Sequence, residues 1–139
     1  MSILENKDQE FTSISNLGEF GLIDQITKDI THYHETTVKG VGDDAAVIKL
    51  GDLCQVISTD LLIEGVHFDL AYAPLKHLGY KAVVVNLSDI CAMNVIPKQI
   101  TVSIALSNRF PVEAVEELYA GVKLACKHYK IDLIGGDTT

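Results

Sequence analysis

Positive charge is scarce in this chain of 139 residues: 11 lysines and arginines stand against 19 aspartates and glutamates, a formal net charge of −8. With no basic stripe to neutralise phosphates, a nucleic-acid binder is excluded. Long apolar runs are missing too. No stretch approaches the roughly 18 apolar residues of a membrane helix, and Met1-Ser-Ile-Leu-Glu-Asn-Lys-Asp8 is polar where a signal peptide carries its apolar core. Cysteine is sparse. Cys54, Cys91 and Cys126 are odd in number, far apart and set among apolar neighbours, which excludes a disulfide framework and predicts reduced, mostly packed thiols in the cytoplasm. There are no internal repeats or low-complexity segments, and the sequon Asn86-Leu87-Ser88 carries no meaning without secretion.

What is present is ordinary for one folded domain: 47% hydrophobic residues, 22% charged, and enough length for a core. Residues 1–17 are polar and expected to be flexible, leaving 18–139 as the domain. The spacing of Leu22, Ile23, Ile26 and Ile30 predicts a short amphipathic helix from Gly21 to about Ile30. Val41 to Leu50 reads as a strand interrupted by Gly42-Asp43-Asp44 and resumed at Ala46, and the turn Gly51-Asp52 returns it as a hairpin through Leu53 to Thr59. A helix is expected from about Gly79 to Met93, buried on most of its circumference. Ile100, Val102, Ile104 and Leu106 alternate with Thr101, Ser103 and Ala105, a strand with one drier face.

Pro111 opens the clearest helix, with the stripe Val112, Val115, Leu118, Tyr119, Val122, Cys126 and Tyr129. Glu113, Glu116 and Glu117 lie in its first turns, and Lys127, His128 and Lys130 at its end, as the helix dipole prefers. Ile131 to Ile134 is a short last strand. The order implies an α/β (α+β) fold, a mixed and mainly antiparallel sheet with helices packed on one face. The other face is left for a second copy or a further domain. The apolar run into Gly135-Gly136-Asp137 at the last residues reads as the edge of a truncated chain.

One arrangement recurs: an apolar run ends and a carboxylate follows at once. It occurs at Gly42-Asp43-Asp44, Ser58-Thr59-Asp60, Asn86-Leu87-Ser88-Asp89 and Gly135-Gly136-Asp137. Packing fixes the ends of such runs, so these carboxylates are better held than those in a loose loop. If they converge, like charges repel unless cations join them. Hard oxygen ligands of this kind suit Mg²⁺ shared with substrate phosphates. The alternative is that each aspartate is a cap or turn residue satisfied by backbone N–H groups.

Gly40-Val41-Gly42-Asp43-Asp44 and Gly135-Gly136-Asp137-Thr138-Thr139 read as flexible, N–H-rich turns able to approach a phosphate. Neither is a Walker loop or a Rossmann fingerprint. Thr138 and Thr139 either support that loop or cap a following turn. His67, in Ile63-Glu-Gly-Val-His67-Phe68, fits a packed or hydrogen-bonded histidine better than a catalytic one. His32 and His34 have no accompanying zinc-ligand pattern.

Five motifs, in order and spacing, resemble thiamine-monophosphate kinase: Gly18-Glu-Phe-Gly-Leu-Ile23, Gly40-Val-Gly-Asp-Asp-Ala-Ala-Val47, Ser58-Thr-Asp-Leu-Leu-Ile-Glu-Gly-Val-His-Phe68, Lys81-Ala-Val-Val-Val-Asn-Leu-Ser-Asp-Ile-Cys-Ala-Met93 and Leu133-Ile-Gly-Gly-Asp-Thr-Thr139. The resemblance implies a fold like the N-terminal domain of aminoimidazole ribonucleotide synthetase. It implies an ATP/Mg-binding and dimerisation domain over 18–139, with the family's C-terminal domain absent. It also implies direct, Mg²⁺-dependent transfer of the γ-phosphoryl group of ATP to thiamine monophosphate in a cytoplasmic homodimer.

By that resemblance Asp44, Ser58, Thr59, Asp60, Asp89 and Asp137 hold metal, Gly136 and Asp137 lie along the nucleotide, and His67 contacts the thiamine substrate. Asn86 and Ser88 support Asp89 and the phosphate path. No catalytic residue is assigned, and negligible turnover is expected from this segment alone. The chain departs from the family at Ala92-Met93-Asn94, where Ala-Met-Gly is usual; Asn tolerates the left-handed backbone Gly would adopt, so the helix end is expected to be preserved. Competing readings are a related ATP-dependent synthetase, such as selenophosphate synthetase, and a non-catalytic dimerisation module.

Overall fold

The computed structural model describes residues 12–139, and the chain divides into two compact units, Met1–His34 and Glu35–Thr139. In the first, α1 runs Ile14–Thr27 and breaks at Gly18, whose φ of 67° and ψ of −177° interrupt the helix. Such a left-handed φ is open to glycine at little cost. The helix therefore begins before the expected Gly21 and stops short of Ile30. None of its residues is buried. Residues 1–11 of the expected loose segment 1–17 lie outside the described residues, and residues 14–17 form the first turn of α1.

The second unit opens with a three-stranded antiparallel sheet of β1 (Thr37–Lys39), β2 (Ala46–Leu50) and β3 (Leu53–Ile57), in that order. The β2–β3 register runs from Ala46 opposite Ile57 to Leu50 opposite Leu53, across the Gly51-Asp52 turn. Gly51 supplies the positive φ, 62°, that a tight hairpin turn needs. The short β1 pairs with β2 before the Gly42-Asp43-Asp44 segment.

Helix α2 spans Leu75–Ala92, one turn earlier than the Gly79 start read from the sequence, because Pro74 stands just before its first residue. Its buried positions, Leu78, Gly79, Val83 and Leu87, form one stripe, and half-buried residues such as Tyr80, Ala82, Val84, Val85 and Ile90 extend the cover around the helix. Asn94 takes the left-handed conformation, φ 59°, as expected. The N–H of Val95 returns to the Ile90 carbonyl at 3.2 Å and that of Asn94 to Cys91 at 2.9 Å, a Schellman ending with Asn in the glycine position.

Strand β4 (Gln99–Ile104) alternates exposed and half-buried residues along its length, as predicted. Helix α3 (Val112–Tyr129) returns the chain to β5 (Asp132–Thr138), which lies parallel to β4. This parallel pair is additional to the antiparallel pairing expected, and follows from the crossover helix between its strands. Val112 and Tyr129 at the two ends of the predicted α3 stripe are exposed, whereas Gly121 and Ala125, not in that stripe, are buried. The small residues explain the difference. A Cβ on Gly79 would collide with the Leu118 carbonyl group, and one on Gly121 would come within 2.8 Å of both the Lys76 carbonyl carbon and the Tyr80 nitrogen. The two helices thus meet backbone to backbone.

Val83 and Leu87 of α2, Val122, Ala125 and Cys126 of α3, and Ile131 make the core, with Tyr80, Ile100 and Val102 packed against it. The helices therefore pack against β4 through Ile100 and Val102, while every residue of β5 is exposed. Complete burial of Val83 and Val122 contributes about 2 kcal/mol each. Of the cysteines only Cys126 is buried; Cys54 and Cys91 are exposed, correcting the expectation of mostly packed thiols. Cys54 lies on a strand whose residues are mainly exposed, and Cys91 is in the last turn of α2, beyond its buried stripe.

Candidate functional site

Because Ala46 and Ile57 are the last pair of the β2–β3 ladder, Gly42-Asp43-Asp44 and Ser58-Thr59-Asp60 leave the same end of the hairpin. Asp43 is occupied locally. It pairs with Lys39, and its Oδ1 accepts the Asp44 N–H at 2.9 Å, the behaviour of a turn residue.

The segment after β3 is tied to the C-terminal half of α2. The Ser58 hydroxyl donates to Asp89 Oδ2 at 2.6 Å, and the Asp60 N–H donates to Asn86 Oδ1 at 2.8 Å. Asn86 and Asp89 stand three residues apart on the helix, hence on one face. Thr59 lies between the two tethers. Ser88 does not join them: it lines an apolar groove of about 360 Å³ with Val84, Leu87, Cys91, Ile96, Pro97 and Tyr129.

His67 closes a tight loop. Its N–H donates to the Ile63 carbonyl at 2.8 Å, and its Nδ1 accepts the Ile63 N–H at 3.0 Å. Gly65, with φ of 77°, turns the chain, and its N–H donates to the Phe68 carbonyl at 2.8 Å. Lys81 of α2 donates to the His67 carbonyl at 3.0 Å. With Nδ1 an acceptor, the neutral ring carries its proton on Nε2. The side chain is exposed, so that donor can serve a ligand. The hydrogen-bonded histidine and the substrate-contacting one are compatible, since they use different ring nitrogens.

Gly135, Gly136 and Asp137 are strand residues of β5, not the flexible turn expected. Gly136 pairs with Val102 so closely that a Cβ there would collide with the Val102 carbonyl group. Asp137 stands opposite Ser103, and Thr138 opposite Ile104. The main chain of Thr139 continues the pairing with Ile104 and Leu106.

The oxygen donors fit a hard divalent cation in kind: carboxylates at Asp44, Asp60, Asp89 and Asp137 and hydroxyls at Ser58 and Thr59. Their arrangement differs from the expected shared pocket. Among the described residues no group of three or more His, Cys, Asp or Glu side chains is gathered closely enough to hold a metal ion. Ser58 and Asp89 are in contact and Asp60 is tethered beside them; Asp44 shares the hairpin end, and Asp137 belongs to the other sheet. The sequence reading missed Lys81 as the anchor of His67 and Asn86 as the anchor of Asp60, although Lys81, Asn86 and Asp89 all fall in one helix.

The family described as AIR synthase related protein, N-terminal domain, matches residues 42–139. The chain belongs to this family. Among curated members, the thiamine-monophosphate kinase of Bacillus subtilis (strain 168) is 41% identical over 123 residues, covering 88% of this chain and 38% of that protein. The thiamine-monophosphate kinase of Aquifex aeolicus (strain VF5) is 40% identical over 124 residues, covering 89% and 38%. The chain thus spans under two-fifths of the length of these relatives. The solved structure of AaThiL complexed with AMPPCP and TMP superposes with a TM-score of 0.81 at 37% identity, covering 94% of this chain and 40% of that one. A crystal structure of thiamine monophosphate kinase from Aquifex aeolicus gives a TM-score of 0.69 at 35% identity, over 92% and 39%. The AIR synthase related fold is therefore supported by sequence and by backbone geometry. Among the described residues no helix is long and apolar enough to cross a membrane.

Proposed function

We propose that the protein phosphorylates thiamine monophosphate to thiamine diphosphate with ATP, and that this chain supplies the part that receives metal–nucleotide and part of the thiamine substrate. The observation that carries the reading is the 41% identity to a thiamine-monophosphate kinase over 88% of the chain. The bound AMPPCP, an ATP analogue, and TMP in a structural relative support the same pair of substrates.

Two phosphorylated anions must meet on a protein of net charge −8. Mg²⁺ held by Asp44, Ser58, Thr59, Asp60, Asp89 and Asp137 would screen that repulsion and stabilise charge on the transferred group. The chain's own contribution is orientation. Asp89 accepts the Ser58 hydroxyl and so fixes the direction of both side chains. Gly136 lets β5 lie directly against the Val102 main chain and so fixes the strand that carries Asp137, while the open space beside the backbone is at Gly135, where a nucleotide can approach. His67 offers Nε2–H to the thiamine substrate while Nδ1 holds its own loop. No general base is needed, because a phosphate monoester oxygen is already ionised near neutral pH. The reading extends to a cytoplasmic homodimer.

The deciding experiment is ADP release by the protein with its C-terminal domain, with and without thiamine monophosphate. Turnover that depends on thiamine monophosphate and on Mg²⁺ is expected, with negligible turnover from residues 1–139 alone. ADP release indifferent to thiamine monophosphate, or a preference for selenide as acceptor, overturns the reading.

A further inference from the structure

We propose that Asn86 is a positioning residue: its side-chain amide fixes the Ser58–Asp60 segment against α2, and thereby sets where the Asp60 carboxylate stands relative to Asp89. The inference rests on the proposed metal–nucleotide role of those two aspartates, and goes beyond it by assigning the group that holds one of them.

Asn86 lies in the interior of an 18-residue helix, where asparagine is a poor helix former because it competes for backbone hydrogen bonds. Here both ends of its amide are used. Nδ2 donates to the Ala82 carbonyl one turn earlier at 3.0 Å, and Oδ1 accepts the Asp60 N–H at 2.8 Å across 26 residues of sequence. Turning the amide over would set Nδ2 against an N–H and Oδ1 against a carbonyl, so the two bonds fix its orientation together. Aspartate in this place would lose the donor, and leucine would lose both bonds.

The tether works through the main chain of Asp60, which leaves both carboxylate oxygens available. One helical turn further on, Asp89 accepts the Ser58 hydroxyl, so the segment is fastened on both sides of Thr59. Neither tether alone fixes the segment: Ser58–Asp89 is a single side-chain bond about which Thr59 and Asp60 can still swing. Asn86 removes that freedom.

The test uses the full chain with Asn86→Ala and Asn86→Leu, and reads amide hydrogen exchange at Asp60, Mn²⁺ affinity by calorimetry, and melting temperature. Both variants are expected to exchange the Asp60 amide about tenfold faster and to bind Mn²⁺ about five- to tenfold more weakly, as the loss of one hydrogen bond of ordinary net strength implies. The melting temperature should move by only a few degrees. Unchanged exchange at Asp60 overturns the proposal. So does faster exchange with Mn²⁺ affinity kept at the wild-type level. If Asn86→Ala does not fold, Asn86→Leu, which keeps the side-chain volume and favours the helix, decides by the same readings. A wild-type chain that binds no Mn²⁺ defeats the proposed function instead, and the Asn86 tether then stands or falls on Asp60 exchange alone.

Discussion

Gly79 of α2 and Gly121 of α3 are the points at which the two helices touch: a Cβ on Gly79 would lie 2.9 Å from the Leu118 carbonyl carbon, and one on Gly121 would lie 2.8 Å from that of Lys76. Backbone, not side chain, blocks both positions. Gly79→Ala and Gly121→Ala should each therefore destabilise the fold by at least about 2 kcal/mol despite alanine's better helix propensity. Urea unfolding midpoints would check this, and a variant as stable as wild type would refute the close crossing.

Asn94 holds a left-handed conformation at the end of α2. Asn94→Gly should leave stability unchanged or slightly raised, while Asn94→Ala should lower it by about 1 kcal/mol. Thermal denaturation of the pair gives the comparison, and equal melting temperatures would contradict it.

Most of the secondary structure was legible because its residues pack by side chain. The alternation of Ile100, Val102 and Ile104 announced β4, and the apolar spacing after Pro111 announced α3. Contacts made by glycine left no such trace. The Gly79–Gly121 crossing and the close approach of β5 to Val102 at Gly136 depend on absent side chains, which a hydrophobic pattern does not register. In the candidate site the residue types were legible and their partners were not. Nothing local links Ser58 to Asp89 or Asp60 to Asn86, and the expected four-aspartate pocket is not assembled among the described residues.

Asp89→Asn tests the charge separately from the geometry. An amide oxygen still accepts the Ser58 hydroxyl, so the melting temperature should stay within a few degrees of wild type. Mg²⁺ binding and thiamine-monophosphate-dependent turnover should fall by at least about tenfold, since a neutral ligand replaces a charged one. Calorimetry and ADP release measure the two, and wild-type values in both would remove Asp89 from the site.

His67 can be dissected by its two nitrogens. In His67→Asn the amide oxygen takes the place of Nδ1 and keeps the Ile63 N–H, while the Nε2 donor is lost. KM for thiamine monophosphate should rise about tenfold with the loop intact. His67→Gln reverses this, supplying a distal donor but freeing the Ile63 amide, which should then exchange faster. Equal exchange at Ile63 in both variants would contradict the assignment.

Burial raises the Cys126 thiol above its ordinary value of 9.0. The buried neutral thiol thus favours the folded state fully below pH 9.0, and that contribution declines as pH rises through the raised folded value. Urea midpoints should fall more steeply above pH 9.0 in wild type than in Cys126→Ala. At pH 8 a maleimide should label Cys54 and Cys91 promptly and Cys126 only after denaturant is added; prompt labelling of all three would contradict its burial.

The Ser58–Asp89 bond joins positions 31 residues apart, whereas the β2–β3 hairpin closes over a two-residue turn. Loop-closure entropy separates these events in time during folding. The hairpin needs only its neighbours, but its Ser58–Asp60 end acquires a fixed direction only after α2 has formed and docked. A chain arrested before that docking would own every oxygen donor of the site and none of its aim, so recovery of metal affinity during refolding should trail recovery of strand signal.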